Sequence, residues 1–117
     1  ALAKVIKSGA LFRYGLGSEC DRFEERYARY LGAKHFALAA SGSNALVAAM
    51  IGLGLGPGDE VLIPAHTYMA TATSVLTVGA IPVIVDIDET LTIDPAAVEA
   101  AIRPRTTPSA VTSSSRR

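Results

Sequence analysis

The residues that could do chemistry fall in three short stretches and a few scattered side chains. Ser41-Gly42-Ser43-Asn44 is a run of small residues between an apolar stretch, Phe36–Ala40, and a helical pattern in which Leu46, Ala49, Met50 and Leu53 recur. Such a turn lets backbone come close to a ligand, and the first N–H groups of the helix point outward without intrahelical partners. Together with the helix dipole they suit a phosphate or a carboxylate. The alternative is that Ser43 caps the helix and nothing binds there. The second stretch, Pro64-Ala-His-Thr-Tyr68, offers an aromatic ring that either fills core or lies over a flat ligand. The third holds Asp86 and Asp88, which read either as a metal pair or as caps of the next turn and helix. His66 has no His, Cys or carboxylate partner at metal-ligand spacing, which argues against zinc. His35 reads as exposed. Cys20 has neither a His nor a second Cys near it and reads as core filling.

The elements that must position these stretches follow from the pattern. Three apolar runs, Phe36–Ala40, Glu60–Ile63 and Ile81–Val85, alternate with helical patterns over Ser43–Leu53 and Tyr68–Val78. Glycines punctuate them, in Gly54-Leu-Gly-Pro-Gly58 and at Gly79. Strands alternating with helices of this length predict βαβ units, and unbroken apolar strands predict a parallel sheet covered on both faces. Ligands of such sheets bind at the carboxyl ends of the strands. Ser41–Asn44, Pro64–Tyr68 and Asp86–Asp88 are therefore expected to share one rim. Asp94 followed by Pro95 predicts a capped helix over Pro95–Ile102.

Nearer the N-terminus, Ala1–Lys7 reads as the tail of a helix ending at Gly9. Leu11–Gly17, LFRYGLG, is a loop whose aromatics dock on a surface or line a pocket. Ser18-x-x-Asp21 resembles a capping box. The helix it opens carries Phe23, Tyr27, Tyr30 and Leu31 on one face and closes at Gly32. Of the 117 residues half are hydrophobic, enough for a real core in one domain or part of one. Eleven basic and eleven acidic residues cancel, with no stripe suited to nucleic acid. A single cysteine excludes an intrachain disulfide and fits a reducing compartment. No apolar run reaches membrane-spanning length and no signal peptide is visible, so a cytoplasmic setting is expected.

The order SGSNALVAAMIGLGLGPGDEVLIPAHTYMATATSVLTVGAIPVIVDIDETLTIDPAAVEAAI resembles the DegT/DnrJ/EryC1/StrS family of sugar aminotransferases, as does FRYGLGSECDRFEERYARYLGAKHFALAASGS before it. The resemblance runs from about Leu11 to Arg105 and consists of several motifs in fixed order. It implies the large domain of the aspartate aminotransferase-like fold and pyridoxal 5'-phosphate as cofactor. The amino donor would be glutamate or glutamine, the acceptor a keto sugar or keto cyclitol, and the assembly a homodimer. Ser41-Gly42-Ser43 matches the family's SGT turn, with Ser in place of Thr. Gly42, Ser43 and Asn44 would then hold the cofactor phosphate. Within Pro64-Ala-His-Thr-Tyr68-Met-Ala-Thr71, Tyr68 would stack on the pyridine ring. GPGDEV and PVIVDID match scaffold motifs.

The departures concern the catalytic groups. The cofactor works as an electron sink only with a lysine and an acid in place. Neither Lys4, Lys7 nor Lys34 matches the family's catalytic lysine motif. After Arg105 the chain reads TTPSAVTSSSRR, a Ser/Thr-rich stretch expected to be disordered. The chain thus reads as an N-terminal fragment, residues 1–105 belonging to the large domain and 106–117 forming a tail. Alternatives are a truncated relic, a non-catalytic phosphate-binding module, or a sugar dehydratase of the same family.

Overall fold

The computed structural model describes residues 2–9, 11, 18–104 and 106. Most of the LFRYGLG loop and of the tail beyond Arg105 lies outside the described residues. Contacts divide the chain into two units, residues 1–39 and 40–117.

The first unit contains α1 (Leu2–Ser8) and α2 (Glu19–Leu31). Gly9, at φ 68°, follows α1 in the left-handed region. The capping box at α2 is complete: Ser18 Oγ accepts the Asp21 N–H, and the Asp21 carboxylate accepts the Ser18 N–H, each at 3.1 Å. Gly32, at φ 66°, ends the helix, its N–H donating to the carbonyls of Ala28 and Arg29. Phe23 and Tyr27 stack with ring centroids 5.4 Å apart, and Phe36 closes on them at 6.3 and 4.8 Å.

That contact bears on a strand expected from the sequence. Phe36–Ala40 forms no strand. Phe36 instead packs on the α2 aromatics, and the Leu38 N–H donates to the Glu24 carboxylate at 2.7 Å. A strand needs a neighbouring ladder, and among the described residues no strand pairs with this stretch.

The second unit holds α3 (Gly42–Gly52), β1 (Glu60–Pro64), α4 (Ala70–Thr77), β2 (Ile81–Val85) and α5 (Pro95–Ala101). β1 and β2 pair in parallel, from Glu60↔Ile81 to Pro64↔Val85, with α4 as the crossover. Met50, Ile63, Val75 and Ala80 form the buried core, joined by Leu55, Val61, Ala72 and Val78. Period-two alternation places Val61, Ile63, Pro82 and Ile84 on one face of the sheet. Ile63 is buried there, whereas Ile84 is 69% exposed. Ser74 is buried in α4, and its hydroxyl finds no partner among the described residues. The Asp94 carboxylate accepts the Ala96 N–H at 2.9 Å, and Pro95 takes the first helical position of α5.

Candidate functional site

The predicted rim can be built from the loops at the opposite pole. A Cβ at Gly79, just after α4, would lie 3.1 Å from Pro57 Cγ, and one at Gly56 would lie 3.9 Å from the Val78 carbonyl oxygen. The carboxyl ends of α3 and α4 therefore adjoin. The two helices pack on each other, so their N-termini leave from the other pole. The β1–α4–β2 crossover puts the start of α4 beyond the carboxyl end of β1. Ser41–Asn44, Pro64–Tyr68 and Asp86–Asp88 all belong to this pole. The Ala65 N–H donates to the Val85 carbonyl at 2.9 Å and ties the second stretch to the third.

At the start of α3 the cap is Ser41, not Ser43. Helical backbone begins at Gly42, and Ser41 Oγ accepts the Asn44 N–H at 3.2 Å. The Ala45 N–H donates to the Ser41 carbonyl at 3.0 Å. The amides of Gly42 and Ser43 are left without hydrogen bonds among the described residues. Ser41 to Asn44 are all exposed, and a Cβ at Gly42 would meet nothing within 4 Å. Two donors, unpaired among the described residues, thus lie on exposed residues at the positive end of an 11-residue helix.

Tyr68 is 82% exposed, which excludes the core-filling role for its ring. It precedes Met69, the N-cap residue of α4, whose side chain makes no capping bond. The Thr71 N–H donates to the Tyr68 carbonyl at 2.9 Å, and the hydroxyls of Thr67 and Thr71 lie 2.9 Å apart. His66 is exposed beside them.

Asp86 and Asp88 open a tight loop. The Asp94 N–H donates to the Asp86 carbonyl at 3.0 Å, and Ile87 bridges Ile93. Asp88 Oδ1 accepts both the N–H and the hydroxyl of Thr90. The Thr90 hydroxyl, then the Thr90 N–H, hold the Asp88 carboxyl below its ordinary 3.8. Leu91 sits at φ 61°, inside this loop. The aspartates organise a turn; among the described residues no group of three or more His, Cys, Asp or Glu could hold a metal ion.

Two features escaped the sequence reading. The serine cap lies two residues before the one expected, a register that Ser41 and Ser43 leave ambiguous. The Thr67–Thr71 bridge carries only an i, i+4 threonine spacing as its signal.

Known proteins share this arrangement of elements. The chain is 48% identical over 107 residues to dTDP-3-amino-3,4,6-trideoxy-alpha-D-glucose transaminase of Streptomyces venezuelae, which spans 91% of this chain and 27% of that protein. It is 46% identical over 106 residues to UDP-2-acetamido-2-deoxy-3-oxo-D-glucuronate aminotransferase of Pseudomonas aeruginosa, covering 90% of this chain and 29% of the relative. A crystal structure of NtdA from Bacillus subtilis with bound cofactor PMP superposes with a TM-score of 0.80 at 36% identity, over 89% of this chain and 23% of that one. The chain therefore spans less than a third of the length of these proteins. A model of the DegT/DnrJ/EryC1/StrS aminotransferase family matches residues 1–114, past the Arg105 at which the motif resemblance was expected to end.

Proposed function

The chain belongs to the DegT/DnrJ/EryC1/StrS aminotransferase family, and from that premise we propose that it supplies the phosphate and ring contacts of a pyridoxal-phosphate-dependent amino transfer. The donor is glutamate or glutamine and the acceptor a keto sugar or keto cyclitol. The names of the Streptomyces and Pseudomonas relatives, both nucleotide-sugar transaminases, support the acceptor class. The PMP in the Bacillus structure is the amino-bearing form of the same cofactor. Residues 1–105 are assigned to the large domain of that fold, in a homodimer within the cytoplasm. Among the described residues, no helix is long and apolar enough to cross a membrane.

The residues present fit the cofactor. The observation that supports the reading is the pair of amides at Gly42 and Ser43, unpaired among the described residues, on exposed residues where a Cβ at Gly42 would meet nothing within 4 Å. These two donate to the phosphate, and the Ser43 hydroxyl adds a third donor. The Asn44 amide joins them only by leaving Ser41 Oγ. Tyr68 offers its exposed ring face to the pyridine and shields that side from water. When bound, the cofactor supplies an electron-withdrawing ring that stabilises negative charge beside the transferred nitrogen. The second unit carries no group that would anchor it covalently: residues 40–117 contain no lysine, and Lys4, Lys7 and Lys34 all belong to the first unit. The chain by itself is accordingly assigned no turnover, and binding rests on hydrogen bonds and one ring.

Pyridoxal phosphate titrated into the chain, followed by tyrosine fluorescence quenching, tests the reading. Gly42→Pro deletes one amide at a first helical position, where proline is tolerated. Ser43→Ala deletes one hydroxyl. Each is expected to weaken affinity about fivefold, the equivalent of a hydrogen bond worth about 1 kcal/mol. Inorganic phosphate should compete. Equal affinity in the parent and both variants overturns the assignment.

A further inference from the structure

Among the described residues nothing in the packing holds the Tyr68 ring: it is 82% exposed and makes no ring contact. The backbone between the end of β1 and the start of α4 therefore sets where its Cα–Cβ bond leaves the chain, and with it the rotamers open to the ring. That span is tied at its near end by the Ala65 N–H to the Val85 carbonyl, 2.9 Å. At its far end the usual device is missing, because the N-cap position is Met69 and has no capping side chain. Two bonds stand in its place. The Thr71 N–H reaches the Tyr68 carbonyl at 2.9 Å, and the Thr71 hydroxyl meets the Thr67 hydroxyl at 2.9 Å. Tyr68 lies between the two threonines in sequence, so the pair closes the turn around it.

Threonine suits this role. Its χ1 in a helix is confined by the branch at Cβ, so its hydroxyl has few directions to take. Thr71 is half-buried, in contrast to the exposed Thr67 and Tyr68, and sits on the first turn of α4. The helix thereby passes its own rigidity to a residue that precedes it. Valine at the position would keep the shape and lose the bond, and serine would keep the bond.

We propose that Thr71 is a positioning residue for Tyr68: its hydroxyl, bonded to that of Thr67, closes the turn that directs the exposed ring. The consequence for the cofactor rests on the stacking role proposed for Tyr68, but the closure itself does not.

The test follows amide hydrogen exchange at Thr71, whose N–H bonds the Tyr68 carbonyl, with the buried Val75 as internal reference in the same helix. Thr71→Val should speed exchange at Thr71 about fivefold, the loss of a bond worth about 1 kcal/mol. Val75 should be unchanged. Thr71→Ser should restore the slow rate. Parent-like exchange in Thr71→Val overturns the proposal, and so does equal acceleration at both amides, which marks a general loss of stability. A second arm measures pyridoxal phosphate affinity. Thr71→Val is expected to weaken it severalfold, approaching Tyr68→Leu, whereas Thr71→Ser leaves it near the parent value. Weakening by Tyr68→Leu with none by Thr71→Val counts against the proposal. No weakening by Tyr68→Leu refutes stacking, while the exchange arm still decides whether the bridge closes the turn.

Discussion

At the scale of single residues, what a ligand meets at the start of α3 depends on which donors are already spent. Ser41 takes the Asn44 amide and leaves those of Gly42 and Ser43. A ligand that wants only two donors meets them without disturbing the helix entry. One that wants three competes with the chain's own hydroxyl. Asp88 shows the same economy in a different setting. Its carboxylate collects the hydroxyl and the N–H of Thr90, both of which favour the charged form. The depressed pKa means that the contribution of this loop is present above the ordinary carboxylate value. It fades as pH falls through the lower, folded-state value, below 3.8. Thr90→Val removes the largest contributor, so the Asp88 midpoint should rise toward 3.8 in a carboxyl-carbon NMR titration. A midpoint that stays put would show that the hydroxyl is not the cause.

At the scale of elements, the helices are locally written and the strands are not. Ser18 with Asp21, Asp94 with Pro95, and the left-handed glycines at 9, 32 and 79 each act within a few residues of themselves. Their geometry was legible because the cap or turn that each makes is set by neighbouring residues, even where, as at Gly79, a distant residue packs alongside. The boundaries of β2 were read correctly, and β1 and the helices fell within two residues of their expected ends. Phe36–Ala40 failed for the opposite reason: apolar content marks a stretch that can be buried, but only a paired neighbour makes it a strand. The pole to which the three stretches belong was legible through the βαβ rule, whereas the Thr67–Thr71 bridge was not, since two threonines four positions apart need not bond and Thr67 precedes the helix. Gly79 offers a test at this scale. It combines φ 80° with a would-be Cβ only 3.1 Å from Pro57 Cγ. Gly58, at φ 93°, has nothing within 4 Å. Gly79→Ala should lower stability by about 1–2 kcal/mol through left-handed strain, with the proline contact added. Gly58→Ala should cost less. Urea melts of the two variants decide it, and equal losses would show that the Pro57 contact yields freely.

At the scale of the whole chain, the second unit buries few side chains. Val75 is 1% exposed, yet Ile51, Leu76 and Ile84 each keep more than half of their surface. Two five-residue strands are too few to stand alone in water. Apolar area of this extent is expected to drive self-association at micromolar concentration. Sedimentation should report an average mass that climbs with concentration, together with no detectable amino transfer from glutamate. A cooperatively melting monomer, or measurable transfer, would contradict this picture. The parallel ladder also sets an order in time. Every residue of β1 has its partner the same distance further along, beyond the whole of α4. During synthesis Glu60–Pro64 is made long before Ile81–Val85 exists. Through that interval a largely apolar strand waits with both edges bare, so the speed at which the ribosome passes from Pro64 to Val85 bears on how much chain is lost before it folds.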